Sequence, residues 1–281
     1  MQASDPADRA PLLVHRPLGR MAYDEALTIQ RAYRLELLHG KGDDLLLTVE
    51  HDPGVLTAGR RALPTELRLD VDELSQLGVQ VREVERGGSW TWHGPGQLVA
   101  YPVVALRRWK LRVPAFVAGL EWAMTILLER ILSRSGIDRH SVGLRIGQRP
   151  GFPGTWVERS DGSHAKVGAV GVHVRRFVSL HGLALNLNPE PWGFQWIVPC
   201  GLQDVETTSA ARLIDEFGGD ATALPSVQQA GEELADLLPR CWHPASGQGP
   251  ICLASSSAAE SSSPAESSAL PAGSPLWDAT R

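Results

Sequence analysis

The chain has 281 residues, of which 43% are hydrophobic, enough to bury one sizeable core or two modest ones. Its net charge of −5 argues against a basic nucleic-acid surface and against a general attraction to anionic membranes. Its cysteines, Cys200, Cys241 and Cys252, lack metal-ligand spacing and are odd in number, so neither a disulfide framework nor a structural zinc site is expected, and a cytoplasmic location fits best.

The two ends of the chain differ in composition from the middle. Residues 1–10 hold two aspartates and no apolar segment, and they predict a flexible arm rather than a secretory signal. No apolar run approaches the ~18 residues of a membrane span. Residues 244–281 are rich in Ser, Ala and Pro and predict a disordered tail, because few large apolar groups are present to offset the entropy of ordering. The patterned region, 11–243, is predicted to be one domain.

Hydrophobic periodicity and turn residues define the elements of the first third of the chain. In order they are a helix over 21–40 closed by Gly40, a buried strand at 45–50, a loop at 51–60, a short helix at 72–77, and an alternating strand at 79–86.

The remaining two thirds continue this mixture. A Gly-rich turn at 86–97 precedes a strand at 98–106 and the clearest helix, 116–136. The stretch 143–198 is dense in strand-like pieces. Two helices close the pattern, over 207–219 and 226–240, the first with Thr207, Thr208 or Ser209 as its N-cap. Helices and strands in this order predict an α+β fold.

The stretch RGGSWTWHGPGQ, residues 86–97, has two interpretations. Its glycines would allow the backbone to approach a ligand closely, beside flat aromatic and imidazole surface. A tight hairpin with aromatic packing explains the same residues. The spacing is neither that of a Walker loop nor that of a dinucleotide-binding G-x-G-x-x-G turn.

Lys166 stands out because the chain has only three lysines, Lys41, Lys110 and Lys166, among 27 basic residues. In strict strand alternation it shares a face with Val170, Val172 and Val174, where a lysine is out of place. It lies either at the exposed end of the strand or in a cleft that controls its proton.

Cys200 lies in the corner Pro199-Cys200-Gly201 after an apolar run. As a cysteine it is either a small buried apolar residue or an exposed thiol. In the second case the N–H groups of Gly201 and Leu202 could converge on the oxygen of a reacting carbonyl.

Together these stretches resemble the octanoyltransferases of lipoate biosynthesis, over about residues 15–215. Four motifs carry the resemblance in the same order and spacing: RGGSWTWHGPGQLVAYP (86–102), KVGAVG (166–171), HGLALN (181–186) and PCG (199–201). Gly168 and Leu183 depart from the alanine and phenylalanine usual in the family, and Leu183 bears on the shape of the acyl pocket. The resemblance implies a mixed, largely antiparallel central sheet flanked by helices, like the catalytic fold of lipoate and biotin protein ligases, with 11–243 as the catalytic domain.

The resemblance further implies transfer of an octanoyl or lipoyl group from acyl carrier protein to a lysine of lipoyl domains. The acceptors would be the lipoyl domains of 2-oxoacid dehydrogenase complexes and the glycine cleavage H protein. Cys200 would be the nucleophile that forms an acyl thioester. Lys166 would lower the pKa of this thiol and relay a proton. The reaction would need no ATP, metal or cofactor.

The resemblance also assigns the acyl and pantetheine channel to three segments. These are Arg86, Gly87, Gly88, Ser89, Trp90, Thr91, Trp92 and His93; Ala169, Val170 and Gly171; and Gly182, Leu183 and Ala184. His93 would orient the thioester carbonyl or close the hairpin, and His181 is expected to be structural.

Two other functions remain open at this stage. An ATP-dependent lipoate or octanoate ligase of the same fold would share the glycine segment and the strand lysine but would not need the thiol. A non-enzymatic module that binds acyl carrier protein or a lipoyl domain could use the basic stretch RRWKLR, 107–112, although that stretch also fits a solvated surface.

Overall fold

The structure, a computed structural model, describes residues 11–198 and 206–243. The predicted arm, the predicted tail and Cys200 lie outside the described residues. In the described part of the chain no helix combines the length and the apolar character that a membrane crossing requires.

The larger of two sheets forms the centre of the molecule. Its strands in spatial order are β1 (Leu13–Met21), β2 (Asp44–His51), β6 (Gln97–Val103), β10 (Val178–Asn186), β9 (His164–Arg175), β8 (Phe152–Glu158) and β7 (Arg145–Arg149). The two-residue strand β11 (Glu206–Thr207) pairs in parallel with β9, where β10 no longer covers it. Only the β1–β2 and β9–β11 pairings described in this sheet are parallel, which confirms the predicted mixed, largely antiparallel architecture.

A second sheet of three strands lies beside the first. Its order is β4 (Gln80–Glu83), β3 (Val55–Ala58) and β5 (Trp90–His93). Its buried side chains form their own cluster with Leu74 and Ile197. The Gly-rich turn predicted at 86–97 therefore contains a strand, β5.

Five helices accompany these sheets in the described residues: α1 (Tyr23–Leu38), α2 (Val71–Gln76), α3 (Val113–Arg134), α4 (Ala210–Glu216) and α5 (Val227–Trp242). The main apolar core lies between the larger sheet and α3, α4 and α5, and α1 covers a second cluster that includes Leu47 and Val99. Gly40 follows α1 with a φ of +73°, as its predicted capping role requires. Ser209 is the N-cap of α4, since its hydroxyl accepts from the N–H of Arg212.

Two strands differ from the sequence-based expectation. Residues 51–60 were expected to be a loop, but they contain β3, whose four residues stand between Pro53 and Gly59. Pairing with β4 and β5 forms this strand, because so short a segment has no periodicity of its own. β1 also lacks a clear pattern, since exposed Arg16 and Arg20 interrupt it, and its parallel pairing with β2 supplies the structure.

Candidate functional site

One cavity lies between the Gly-rich segment and the strands β9 and β10. Its empty volume, counted together with the solvent at its mouth, is about 830 Å³. Residues 86–91 and 181–184 contribute to its walls, as do His93 and residues 168–171. Lys166, Ile197 and Thr207 line it as well.

The structure thus brings the three predicted segments together, with one difference. Among the predicted substrate-binding residues, Trp92 is not part of the cavity lining. It is 1% exposed and contacts Trp196 edge-on at 5.8 Å between ring centroids. A Cβ at Gly54 or Gly94 would lie 2.2 or 2.8 Å from its indole. These glycines make room for Trp92 beneath the segment that carries the lining residues.

Lys166 faces the cavity because of an irregularity in β9. Gly168 pairs with Thr155 and Lys166 with Trp156, so Val167 is an extra residue on β9. Val167 packs into the main core together with Val170, although strict alternation would place these two on opposite faces. The predicted face shared by Lys166 and the three valines is therefore wrong. The bulge turns the lysine away from the core, to the side of the cavity.

Lys166 is largely buried, between an aromatic ring and neighbouring backbone. The residue is 8% exposed, and its Nζ lies 5.2 Å from the ring centroid of Trp156, within reach of a cation–π interaction. Its backbone carbonyl accepts from the N–H of Thr208 at 2.9 Å. Thr207 pairs with Lys166 across β11 and β9.

A chain of buried hydrogen bonds connects His93 to the backbone of Lys166. His93 Nδ1 lies 2.7 Å from Gln97 Oε1 and must donate, because that oxygen can only accept. Gln97 Nε2 donates to Asn186 Oδ1 at 2.9 Å, and Asn186 Nδ2 donates to the carbonyl of Thr208 at 3.0 Å. Thr208 in turn holds Lys166. Neither Gln97 nor Asn186 was assigned a role from the sequence, although both lie within the quoted motifs and could have been found there as buried amides.

The rings of His93, His51 and Tyr23, here called the floor of the cavity, are uncharged, while Arg86 lines the cavity beside them. Burial, and to a lesser degree the nearby His51, lowers the pKa of His93 to about 3. Burial lowers the pKa of His51 to about 4, and its Nε2 accepts from the hydroxyl of Tyr101 at 2.7 Å. The Tyr23 ring is stacked on His93 with centroids 6.2 Å apart, and burial raises the pKa of Tyr23. Neutral rings of this kind suit an alkyl chain better than an anion.

Arg86 supports the Gly-rich segment from within. It is 6% exposed, and its Nη2 donates to the carbonyl of Thr57 at 2.6 Å. Gly87 N–H donates to the carbonyl of Val172 at 3.0 Å, which ties this segment to β9. A Cβ at Gly171 would lie 3.0 Å from Arg86 Cδ, so this glycine leaves space for the arginine.

His181 is buried at the end of the cavity and adopts a φ of +60°. Its Nε2 lies 3.6 Å from Glu85 Oε2, and this contact is the main cause that holds the pKa of Glu85 well below its usual range. Burial lowers the pKa of His181 itself. Next to it, a Cβ at Gly182 would lie 2.0 Å from the carbonyl oxygen of Ala100, so the close approach of β10 to β6 requires glycine.

Cys200 lies outside the described residues, but the chain on both sides of it is described. Ile197 before it and Thr207 after it both line the cavity. Cys241, by contrast, is buried in α5 within the main core, and burial raises the pKa of its thiol to about 11. Among the described residues no three His, Cys, Asp or Glu side chains are grouped as metal ligands.

Comparisons with known proteins agree on one family. Residues 22–230 match the family described as lipoyl protein ligase A/B catalytic domain. The chain is 40% identical over 235 residues to the octanoyltransferase of Chloroflexus aurantiacus strain J-10-fl, covering 82% of this chain and 96% of that protein. It is 38% identical over 216 residues to the octanoyltransferase of Nocardia farcinica, covering 76% and 77%. A candidate lipoate protein ligase of T. acidophilum has the same fold at 12% identity, with a TM-score of 0.51 and coverage of 82% and 86%.

Proposed function

This chain belongs to the lipoyl protein ligase A/B catalytic domain family, and on that premise we propose that it transfers an octanoyl group from acyl carrier protein to the acceptor lysine of lipoyl domains. The observation that carries the proposal is the cavity lined by Lys166 and by residues on both sides of the Cys200 segment. The names of the octanoyltransferases to which it is similar support the same reaction.

The cavity has the properties that an octanoyl group needs. Glycines, together with Ala169 and Ala184, leave room along its walls, and the imidazole of His93 is uncharged. Burying six methylenes at about 0.8 kcal/mol each stabilises the bound chain by roughly 5 kcal/mol. Shortening the acyl chain by two carbons removes about a third of that.

The first half-reaction joins the acyl group to Cys200. A free thiol has a pKa of about 8.5, and an ammonium within ~4–6 Å lowers it by roughly 1–3 units. The Cys200 thiolate attacks the thioester carbonyl on the phosphopantetheine arm, and the pantetheine sulfur leaves with a proton from Lys166. One thioester replaces another of similar energy, so ATP is not required.

The second half-reaction passes the acyl group to the acceptor. The acceptor amine, with a pKa near 10.4, must lose a proton before it attacks the acyl carbonyl. Lys166, neutral after the first step, takes this proton, and the second N–H proton, lost as the amide forms, passes to solvent. Cys200 leaves as a thiolate beside the restored ammonium, and the product is an amide. The acceptors are the lipoyl domains of 2-oxoacid dehydrogenase complexes and the glycine cleavage H protein, and the setting is the cytoplasm.

Intact-mass measurement after incubation with octanoyl-acyl carrier protein, without ATP, tests the proposal. We expect one added octanoyl group, located at Cys200 by peptide mapping. Cys200→Ala should abolish the adduct, and the matched control Cys241→Ala should retain it, because that thiol is in the core. Full-rate transfer by Cys200→Ala contradicts the proposal. A requirement for ATP and free octanoate would favour the ligase instead.

A further inference from the structure

Glu121 is a buried carboxylate that the reaction above does not use. It is 9% exposed and lies on the long helix α3, whose buried residues are mostly apolar. A carboxylate removed from water needs hydrogen bonds or an opposite charge, because desolvation disfavours its ionised form. The contacts of Glu121 therefore show which groups stabilise its carboxylate in the interior.

A glycine connects Glu121 to Lys166. Glu121 Oε1 accepts from the N–H of Gly154 at 2.7 Å. Gly154 has a φ of +134°, and a Cβ on it would lie 2.9 Å from Lys166 Cε. The methylene stem of Lys166 thus lies against the α-carbon of Gly154, and the N–H of the same glycine donates to the carboxylate of Glu121. Glycine is required at this position by its backbone angle and by the carbonyl oxygen of Gly168, which would lie 2.2 Å from a Cβ, and the lysine stem fills the space beside it.

Positive charges near this contact partly offset the burial of the Glu121 carboxyl. Burial raises the pKa of Glu121, and the Gly154 hydrogen bond and the positive charge of Lys166 oppose that rise. From β7, Arg149 stacks on the Trp156 ring at 5.3 Å and adds a second positive charge. On β11, Glu206 is held by Arg159 at 3.0 Å, outside the cavity lining.

We propose that Glu121 is a positioning residue that holds the ammonium of Lys166 at the cavity as its permanent countercharge. This role deepens the proposed octanoyl transfer and rests on it. The Cys200 thiolate is a partner of Lys166 only until the thiol is acylated, whereas Glu121 stays. A lysine beside a fixed negative charge binds a proton more tightly, so it takes the proton of the incoming acceptor ammonium more readily. Lys166 gives a proton to the pantetheine thiol in the first half-reaction, and in this way it regains a proton in the second.

Protonation of Lys166 is measurable without any assay of transfer. Only three lysines are present, so protein labelled with ¹³C at lysine Cε gives three signals that report protonation. Glu121→Gln keeps the size of the side chain and an oxygen for the Gly154 N–H, but it removes the charge. We expect the deprotonation midpoint of Lys166 to fall by about one pH unit, a tenfold loss of proton affinity, with Lys41 and Lys110 unchanged.

Glu129→Gln is the matched control. Glu129 lies on the same helix, eight residues or about 12 Å further along its axis, and pairs with Arg139 at 3.1 Å. It should leave all three lysine signals unchanged. A Lys166 midpoint that is the same in Glu121→Gln and in the unmodified protein overturns the proposal. Because this measurement does not depend on octanoyl transfer, absence of an acyl-enzyme would contradict the proposed function alone.

Lys166→Met supplies the reciprocal test if Glu121→Gln does not fold. Without the ammonium the pKa of Glu121 rises further, so the variant should lose more stability at pH 8, where the carboxyl would be ionised, than at pH 5. Urea unfolding at both pH values measures this difference. A loss that is equal at the two pH values would mean that Lys166 and Glu121 do not interact as charges, and the proposal would fail.

Discussion

The two ends of the cavity are about equally buried but have different neighbours. At one end His93, which lines the cavity, and His51, which contacts it, are 7% and 0% exposed, and burial lowers the pKa of both. At the other end Lys166 is 8% exposed, and its stem lies against Gly154, whose N–H donates to the carboxylate of Glu121. Burial penalises a charge at both ends, and at the lysine end the positive charge of Lys166 offsets part of that penalty for the carboxyl of Glu121.

Removing the charge at the lysine end should have the largest effect. Lys166→Met removes the ammonium that favours ionisation of the Cys200 thiol. We expect acyl-enzyme formation at pH 7 to slow by roughly 25-fold, because a rise of the thiol pKa from about 6.5 to about 8.5 lowers the thiolate fraction from about three quarters to about 3%. Quenched-flow mass spectrometry measures this rate. Lys110→Met, at an exposed position, serves as the control, and equal rates for both variants would contradict the assigned role.

Disturbing the hydrogen bonds of the floor should mainly affect stability. Gln97→Leu leaves His93 Nδ1 and Asn186 Oδ1 without their present partner and removes a hydrogen bond to the carbonyl of Trp92. We expect a loss of about 2–4 kcal/mol in the free energy of unfolding, because two buried polar atoms become unsatisfied. Urea denaturation measures it. Gln228→Leu, which removes an exposed bond to Glu232, should change stability by less than about 0.5 kcal/mol.

The neutral histidines should make the fold sensitive to acid. Both folded-state pKa values, about 4 for His51 and about 3 for His93, lie below the unfolded value of 6.5. The unfolded chain therefore binds protons first, and stability falls as the pH drops below about 6.5, by up to roughly 1.4 kcal/mol per pH unit for each histidine. Urea unfolding at pH 7 and pH 5 measures the slope. Replacing the exposed His140 by Gln should not alter it, whereas His51→Gln should reduce it.

The smallest effect on stability is expected for Gly168→Ala, at a position between the two ends of the cavity. A Cβ there would lie 2.9 Å from Met124 Sδ and 3.1 Å from the carbonyl oxygen of Ala184. Met124 is flexible, so Gly168→Ala should cost about 1 kcal/mol or less and leave transfer nearly unchanged. The double variant Gly168→Ala, Met124→Leu changes the shape of the side chain that has to move. Comparing its free energy of unfolding with those of the two single variants measures the interaction between positions 168 and 124. Additive effects would mean that the two side chains do not meet.

The sequence was most informative where chemistry and backbone requirements coincide in a short stretch. The glycines of 86–97, the isolated Lys166 and the HGLALN stretch were found as motifs, and the structure places them around one cavity. The long helix α3 followed from its apolar stripe. By contrast, β3 and β1 were missed, because each is a strand only through its neighbours. Cys200 stays a prediction, since it lies outside the described residues.

By itself the sequence determined which residue types are available and in what order, because glycine, lysine and cysteine are recognisable without a partner. Only the tertiary structure decided where they face. The extra residue Val167 turns Lys166 from the core to the cavity. Contact across more than thirty positions brings Glu121 to Gly154 and, through it, to the lysine stem. A bulge and a long-range contact have no periodicity along the chain, so no local pattern could have predicted either.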